Sequence, residues 1–543
     1  MIIFNNLTDS LTKVFEKFGL NENIELNLSR IDGYDLQINN LVKHNKADYF
    51  KELQNNIIEI IDNSNIFQKV VSNEIGFINL NLNNHFLLNK ITNTKNDFIY
   101  KKSSKIIFDY GGPNIGKPLH VGHMRTLNIG RSLYNIHSFL GNEVVSDIHL
   151  GDWGMPVAQI IAYLEINNID IESINSSQLE IIYPKASKEY KENKEFKSRA
   201  QEVNKLLNNN DPGSLKIWKS IKEISISSLE DNFKKLNHKF DYWLGESDVN
   251  DLIPNMIEIL EKEKKIIRDD GALISAEDTD PKILITKSDG SYLYITTDLA
   301  TVLYRQENIG YDKALYIVDN RQSLHFKQLF DSIKFFDFND LEHEHVSYGT
   351  LNDSDGSAFK TRDGGTKPLN ELFDETHNYI KKINKSLDES TTSQLTNSVL
   401  TFSDLITNRK TDYKFDLEKF TNVNGKTGIY IQYAQVRARK LLEGLKNNTP
   451  STLIVTEVDN KLLSKLFLFG YFLEKSASLN EPHHLANYLY EISNLFNQFY
   501  EYEKISNITD VDKITSKTFI ANLFLTTSNS AMLCLGIFPV NKM

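Results

Sequence analysis

The stretch that most restricts how this chain can fold lies between residues 105 and 153, where the apolar spacing changes twice and glycine and proline crowd around one of the changes. Lys105-Ile106-Ile107-Phe108-Asp109 is a short β-branched and aromatic run bounded by Gly111-Gly112-Pro113, which predicts a buried strand. Met124, Leu127, Leu133, Ile136 and Leu140 then recur near helical spacing, and Gly141 supplies the stop. Val144-Val145-Ser146-Asp147-Ile148 predicts a second strand. Strand, loop, helix and strand make one βαβ unit. Its loop puts His120, Gly122 and His123 at a helix N-terminus, where unpaired N–H groups and the helix dipole favour phosphate.

The loop is therefore a candidate nucleotide site. His120 and His123 can both donate to phosphate oxygens, Gly122 lets a flat base or ribose approach the backbone, and Lys117 supplies a mobile positive charge. Three other readings compete. Paired histidines suit a metal, although no Glu lies between them and the lone Cys534 leaves no thiolate set. Residues 111–117 match most of G-x-x-x-x-G-K, but Pro118 stands where Ser or Thr would hold magnesium, and Pro113 and Pro118 lack the N–H such a loop aims at phosphate. A plain polar turn is the third reading, and it would not need this concentration of residue types.

H-x-G-H after a first strand resembles the signature of class I aminoacyl-tRNA synthetases, a signature that small adenylyltransferases share. The longer Pro113-Asn114-Ile115-Gly116-Lys117-Pro118-Leu119-His120-Val121-Gly122-His123, followed by Leu150-Gly151-Asp152-Trp153-Gly154, resembles the arginyl-tRNA synthetases in particular. The resemblance implies an α/β fold: a Rossmann-like doubly wound parallel sheet carrying an insertion, an N-terminal α+β add-on domain, and a C-terminal all-α anticodon-binding bundle. It also implies L-arginine, ATP with Mg2+ as a substrate complex, and tRNA(Arg) as partners, with activation that waits for bound tRNA. No protein-bound metal is expected.

Composition narrows the setting. A chain of 543 residues has room for about three or four domains. One cysteine excludes a disulfide framework, and no apolar run reaches the ~18 residues of a membrane span. Together with an N-terminus lacking a targeting pattern, this predicts a soluble cytoplasmic protein with no membrane partner, and the resemblance adds the expectation of a monomer without a DNA partner. A net charge of -11 argues against indiscriminate polyanion binding, while local basic patches still permit RNA.

Three domains are expected, at 1–98, 99–380 with an insertion over about 156–280, and 381–543 with a core module from about 428. In the first, periodic apolar residues predict helices over 7–18 and 49–61, and 76–82 alternates like a strand. The resemblance makes this the add-on domain that contacts the tRNA elbow; a small solubilising domain is the other reading. The insertion is rich in Lys and Glu over 186–209, which predicts a solvated helix.

The nucleotide fold resumes at Lys282. Residues 283–286 and 292–296 flank Ser288-Asp289-Gly290 and predict a hairpin, followed by a helix from Asp298, a strand over 314–318 and a helix from Ser323. Asp298 reads either as an N-cap or, with Asp109, as a carboxylate partner for a guanidinium. The resemblance favours the second reading and adds Asn114, Tyr294 and Gln322 to the arginine pocket. Lys360-Thr361-Arg362 ahead of Gly364-Gly365 reads as a mobile basic loop or a surface turn. By resemblance it is the eroded second class I signature, so that Lys360, Thr361 and Arg362 join His120, Gly122 and His123 around ATP, while Lys117 shares the transition-state work.

From about 381 the apolar repeats predict helices over 395–406, 428–445, 461–474, 482–501 and 516–535. Aromatic and basic residues interleave there, so Tyr433 and Tyr488 could stack bases at about 1–3 kcal/mol each while Arg437 and Arg439 grip phosphate. A core role for these aromatics is the competing reading. A nucleotidyltransferase without RNA and an RNA-binding paralogue without chemistry are the rival functions.

Overall fold

The computed structural model describes residues 4–93, 103–276, 282–288, 290–357, 359, 367–446 and 448–543. The chain divides into two compact units, residues 102–419 and residues 1–101 joined with 420–543.

The unit of residues 102–419 is built on a parallel sheet. Strand β1 (Lys105–Tyr110) leads through the loop into helix α1 (His123–Phe139) and strand β2 (Glu143–Asp147). Helix α2 (Met155–Ile166) opens the insertion. Later come helix α3 (Tyr294–Asn308), strand β3 (Lys313–Ile317), helix α4 (Ser323–Phe335) and strand β4 (Glu342–His345). The strand order is β4-β3-β1-β2, with every pairing parallel. Because the chain leaves β1 towards β2 and returns on the other side as β3, the strand order reverses between β1 and β3. Ligands of doubly wound sheets bind at that point, beyond the strand ends.

Several expected elements change. The hairpin is reduced to strand Leu284–Thr286 and one bridge from Thr286 to Tyr292, and the helix begins at Tyr294 instead of Asp298. The reason is periodicity: Ile295, Leu299, Val302 and Leu303 recur at helical spacing and pack into one core with Ile107, Ala314 and Leu329. Asp298 therefore sits in the second turn and caps nothing; Leu293 precedes the helix. The expected helix over 186–209 is two helices, broken where Asn193 Oδ1 accepts from the backbone N–H groups of Glu195 and Phe196. The expected helix over 461–474 is likewise split, into Glu457–Phe467 and Phe469–Ser478.

Helix α5 (Glu389–Leu405) belongs to this same unit. Its Asp404 receives the Nε of buried Arg125 at 3.0 Å and the amide of Asn128 at 3.1 Å, and Arg131 reaches Thr401 Oγ1 at 3.0 Å. The helical region from 381 thus starts inside the nucleotide fold: buried polar residues on α1 need partners, and α5 provides them.

In the other unit, an antiparallel sheet of Asn27–Leu28, Leu36–Ile38, Ile78–Leu82 and Phe67–Ser72 accompanies helices Asn5–Lys17 and Phe50–Asn63. The C-terminal bundle contributes helices Gly428–Leu442, His483–Tyr502 and Val511–Cys534. Phe4 joins the two segments, packing on Phe67, Phe86 and Phe467 at 6.1–6.4 Å.

Candidate active site

The loop between β1 and α1 is held from three sides. Gly112 N–H donates to Ile148 O at 3.0 Å, Gly116 N–H to Ser225 Oγ at 2.9 Å, and Val121 N–H to Lys367 O at 3.0 Å. Asn114 forms a bridge with Gly151. A side chain at 151 would displace that of Asn114, since its Cβ would lie 2.1 Å from Asn114 Oδ1.

At the helix start each imidazole is fixed by a backbone N–H of the loop. His123 Nδ1 accepts from His120 N–H and His120 Nδ1 accepts from Gly122 N–H, each at 3.1 Å, with ring centroids 4.0 Å apart. A ring that accepts at Nδ1 carries its hydrogen at Nε2 when neutral. Burial, then Lys117 and Arg321, lowers His120 to about 4. Burial, then His120 and Lys117, lowers His123 to about 3. Both rings are therefore neutral Nε2–H donors at pH 7.

His120, Gly122 and His123 line a cleft of about 540 Å³ at the switch point, together with Asp109, Gln322 and Arg321. Arg321, for which the sequence offers no signal, makes two bonds to Asp319 (2.8 and 2.9 Å) and keeps its side chain 82 % exposed. Lys117 is exposed and close enough to act on both histidines. Lys360, Thr361 and Arg362 lie outside the described residues; Phe359 beside them lines the cleft.

Asp109, expected as a carboxylate partner for a bound guanidinium, already holds one that the protein supplies. Its Oδ2 lies 2.6 Å from the guanidinium of Arg305, which holds Asp147 Oδ2 at the same distance. Arg305 and Asp147 are fully buried, and burial raises Asp109 despite this partner. The internal cation occupies one face of Asp109 while the residue still lines the cleft. Nearby His149 has a φ of +43°, a conformation that costs energy and gathers at functional sites.

Asp298 and Tyr294 lie together, joined by an unforeseen third group. Burial, then Asp152 and Asp298, pushes Glu246 up to about 8, and Tyr294 is raised by burial, then by Glu246 and Asp298. Tyr294 is 70 % exposed. Asp298 Oδ2 also meets His325 Nε2 at 2.6 Å. Both Asp109 and Asp298 act on buried Tyr316, which places the two acids around one region. Asp152 is paired with Lys222 at 2.6 Å, which leaves Glu246 and Asp298 as the neighbouring acids that suit a cationic ligand. Glu246 carried no sequence signal of its own; it comes beside Asp152 and Asp298 where Leu150 and Gly245 form a bridge.

The four residues expected on the RNA face separate. Tyr433 is exposed, and Arg437 lies 4.7 Å from the rings of both Tyr433 and Tyr500 while bonding Glu501 at 3.1 Å. Arg439 is half-buried. Tyr488 is a correction: it is fully buried, stacks on Phe472 at 4.6 Å and donates to Leu466 O at 3.2 Å, so no base can reach it. In the same unit a groove of about 890 Å³ carries Arg30, Tyr34, Lys69, Lys461 and Lys465. Among the described residues Glu481, His483 and His484 bring metal-type donor atoms within 4.8 Å, and there His484 Nε2 and Glu481 Oε2 satisfy each other at 3.2 Å.

Residues 85–417 match the family described as tRNA synthetases class I (R), catalytic domain, and residues 431–543 match the DALR anticodon binding domain. The arginine–tRNA ligase of Francisella tularensis subsp. tularensis is 34 % identical over 550 residues, covering 94 % of each chain. That of Agathobacter rectalis is 33 % identical over 578 residues, covering 96 % of each. In fold, the chain is similar to the arginyl-tRNA synthetase from Plasmodium falciparum, with a TM-score of 0.84 at 23 % identity over 100 % of this chain and 99 % of that one. The Thermus thermophilus arginyl-tRNA synthetase gives 0.82 at 18 % identity over 99 % of each. With a histidine loop at the switch point, Asp109 in the same cleft and relatives matched over 94–96 % of each chain, this chain belongs to the arginyl-tRNA synthetases of class I.

Proposed function

We propose that this chain carries out the arginine–tRNA ligase reaction through the histidine loop and the acidic cluster beside it. A carboxylate oxygen of L-arginine attacks the α-phosphorus of ATP, which enters with Mg2+ as its substrate complex. The bond to the β-phosphate oxygen breaks, giving arginyl adenylate and pyrophosphate. A hydroxyl of the terminal ribose of tRNA(Arg) then attacks the arginyl carbonyl and AMP leaves.

The observation that carries this assignment is the pair of neutral Nε2–H imidazoles at the start of α1, facing the cleft that Asp109 and Gln322 also line. Neutral donors stabilise charge that grows on phosphate oxygens without first losing a proton to solvent. Arg321 adds positive charge in the cleft and Lys117 adds it beside the two histidines, and Lys360, Thr361 and Arg362 join them by likeness to the family. Asp298, Glu246, Tyr294, Asn114 and Gln322 take the substrate, with the two acids on the guanidinium. Asp109 acts mainly by anchoring Arg305 at the strand ends.

The tRNA runs past residues 1–98 at its elbow and past the bundle from about 428 at its anticodon. The exposed Tyr433 with Arg437 against its ring supports the anticodon end of that path. The chain works as a monomer in the cytoplasm, and its single, buried Cys534 suits a reducing compartment. Pyrophosphate exchange dependent on arginine, measured with and without tRNA, tests the reading. Exchange that appears once tRNA(Arg) is added is the expected result, and no exchange under either condition leaves only a binding role.

A further inference from the structure

Asp298 has a partner that the reaction scheme does not use. His325 rises from the first turn of α4, three residues after Gln322, and its Nε2 meets Asp298 Oδ2 at 2.6 Å with both side chains about a quarter exposed (29 % and 26 %). The ring is held in place: it lies edge-on to Phe326 at 5.5 Å, and Phe326 stacks on His345 at 4.6 Å. A carboxylate offers about four lone-pair positions, so one oxygen can be taken by an imidazole while the other stays open.

We propose that His325 is a positioning residue for arginine, holding Asp298 through Oδ2 so that Oδ1 is presented to the guanidinium. The inference rests on the reading of Asp298 as an arginine ligand. Fixing the acid before the substrate arrives removes a rotamer that would otherwise have to be ordered on binding. It is the same service that outer hydrogen-bond partners give to metal-binding side chains.

The pair also carries a pH signature. The groups facing His325 are Asp298 from α3 and His345 from β4, and Asp298 in turn faces Glu246 and Tyr294. The bond to Asp298 holds His325 above its ordinary value. A charged His325 cancels the charge of Asp298 and repels an incoming guanidinium; a neutral one still donates through Nε2. Arginine affinity therefore rises with pH as His325 loses its proton.

The test is steady-state aminoacylation with tRNA(Arg), reading KM for arginine, KM for ATP and kcat across about pH 6–9. D298N comes first and raises KM for arginine; if it does not, the reading of Asp298 as a ligand falls, and this inference with it. H325A raises KM for arginine about 10–100-fold, the range for losing an outer partner, with kcat and KM for ATP little changed. H325Q, a neutral donor, restores most of the affinity and removes the histidine part of the pH dependence. The proposal is overturned if D298N raises KM for arginine while H325A does not. It is overturned equally if H325Q keeps the full pH dependence, or if H325A lowers kcat and ATP affinity as much as arginine affinity. Should H325A fail to fold, the pH profile of H325Q still decides.

Discussion

His123 Nδ1 accepts the backbone N–H of His120 at 3.1 Å, so the backbone of one signature histidine fixes the ring tautomer of the other while shaping the loop that carries both. Burial keeps the two rings neutral down to about 4 for His120 and about 3 for His123. Single-turnover adenylate formation therefore shows no limb from either histidine between about pH 5 and 9. H120A or H123A lowers that rate about 10²–10³-fold, the usual loss for one transition-state donor. For stability the sign is the usual one for a depressed histidine: the contribution is complete above the ordinary value of 6.5 and is lost as pH falls below it, because the unfolded chain takes up the protons first.

Glu246 titrates in the opposite sense. Its folded value of about 8 lies above the ordinary 4.5, so the folded protein holds an extra proton between those two values. Stability therefore declines as pH rises through that window, and E246Q flattens the decline. Arginine binding draws the proton off, so affinity rises with pH and levels above about pH 8. Calorimetry in two buffers of different ionisation heat checks this, with proton release expected for the wild type and reduced for E246Q.

Arg305 binds Asp109 and Asp147 at 2.6 Å each with no solvent access to its side chain. Replacing it with Met leaves two buried carboxylates without their cation. R305M should lose about 3–5 kcal/mol in denaturant unfolding, the typical result of breaking a buried pair from one side. Adding D147N to R305M should recover part of the loss, since one of the stranded charges is then gone.

On the RNA face, exposure decides which tyrosine matters. Y433A should weaken tRNA(Arg) binding by about 1–3 kcal/mol in a filter or anisotropy assay, as for a lost base stack. Y488F should leave tRNA affinity unchanged and cost about 1 kcal/mol of stability, the worth of its bond to Leu466 O.

How much of this was legible in the chain follows from the range of the interactions. The strand, loop and helix between residues 105 and 141 could be read directly, because period, turn chemistry and a glycine stop act over a few residues; the observed β1 and α1 differ from the reading by one residue at an end. The helix beginning at Tyr294 was misplaced where a β-branched run hid a helical period. The resemblance supplied the roles of Asn114, Tyr294, Asp298 and Gln322, which no spacing rule would have assigned.

What the residues alone determined is the local anion-binding turn and the family it belongs to. What only the tertiary structure decided is which charges meet: Arg305 with Asp109 and Asp147 across 196 and 158 residues, Glu246 with Asp298, and Tyr488 sealed in a core while Tyr433 stays outside. Those outcomes depend on sheet register and burial. Both are properties of the packed chain, and a desolvated carboxylate acquires its charge state from neighbours that sequence distance does not reveal.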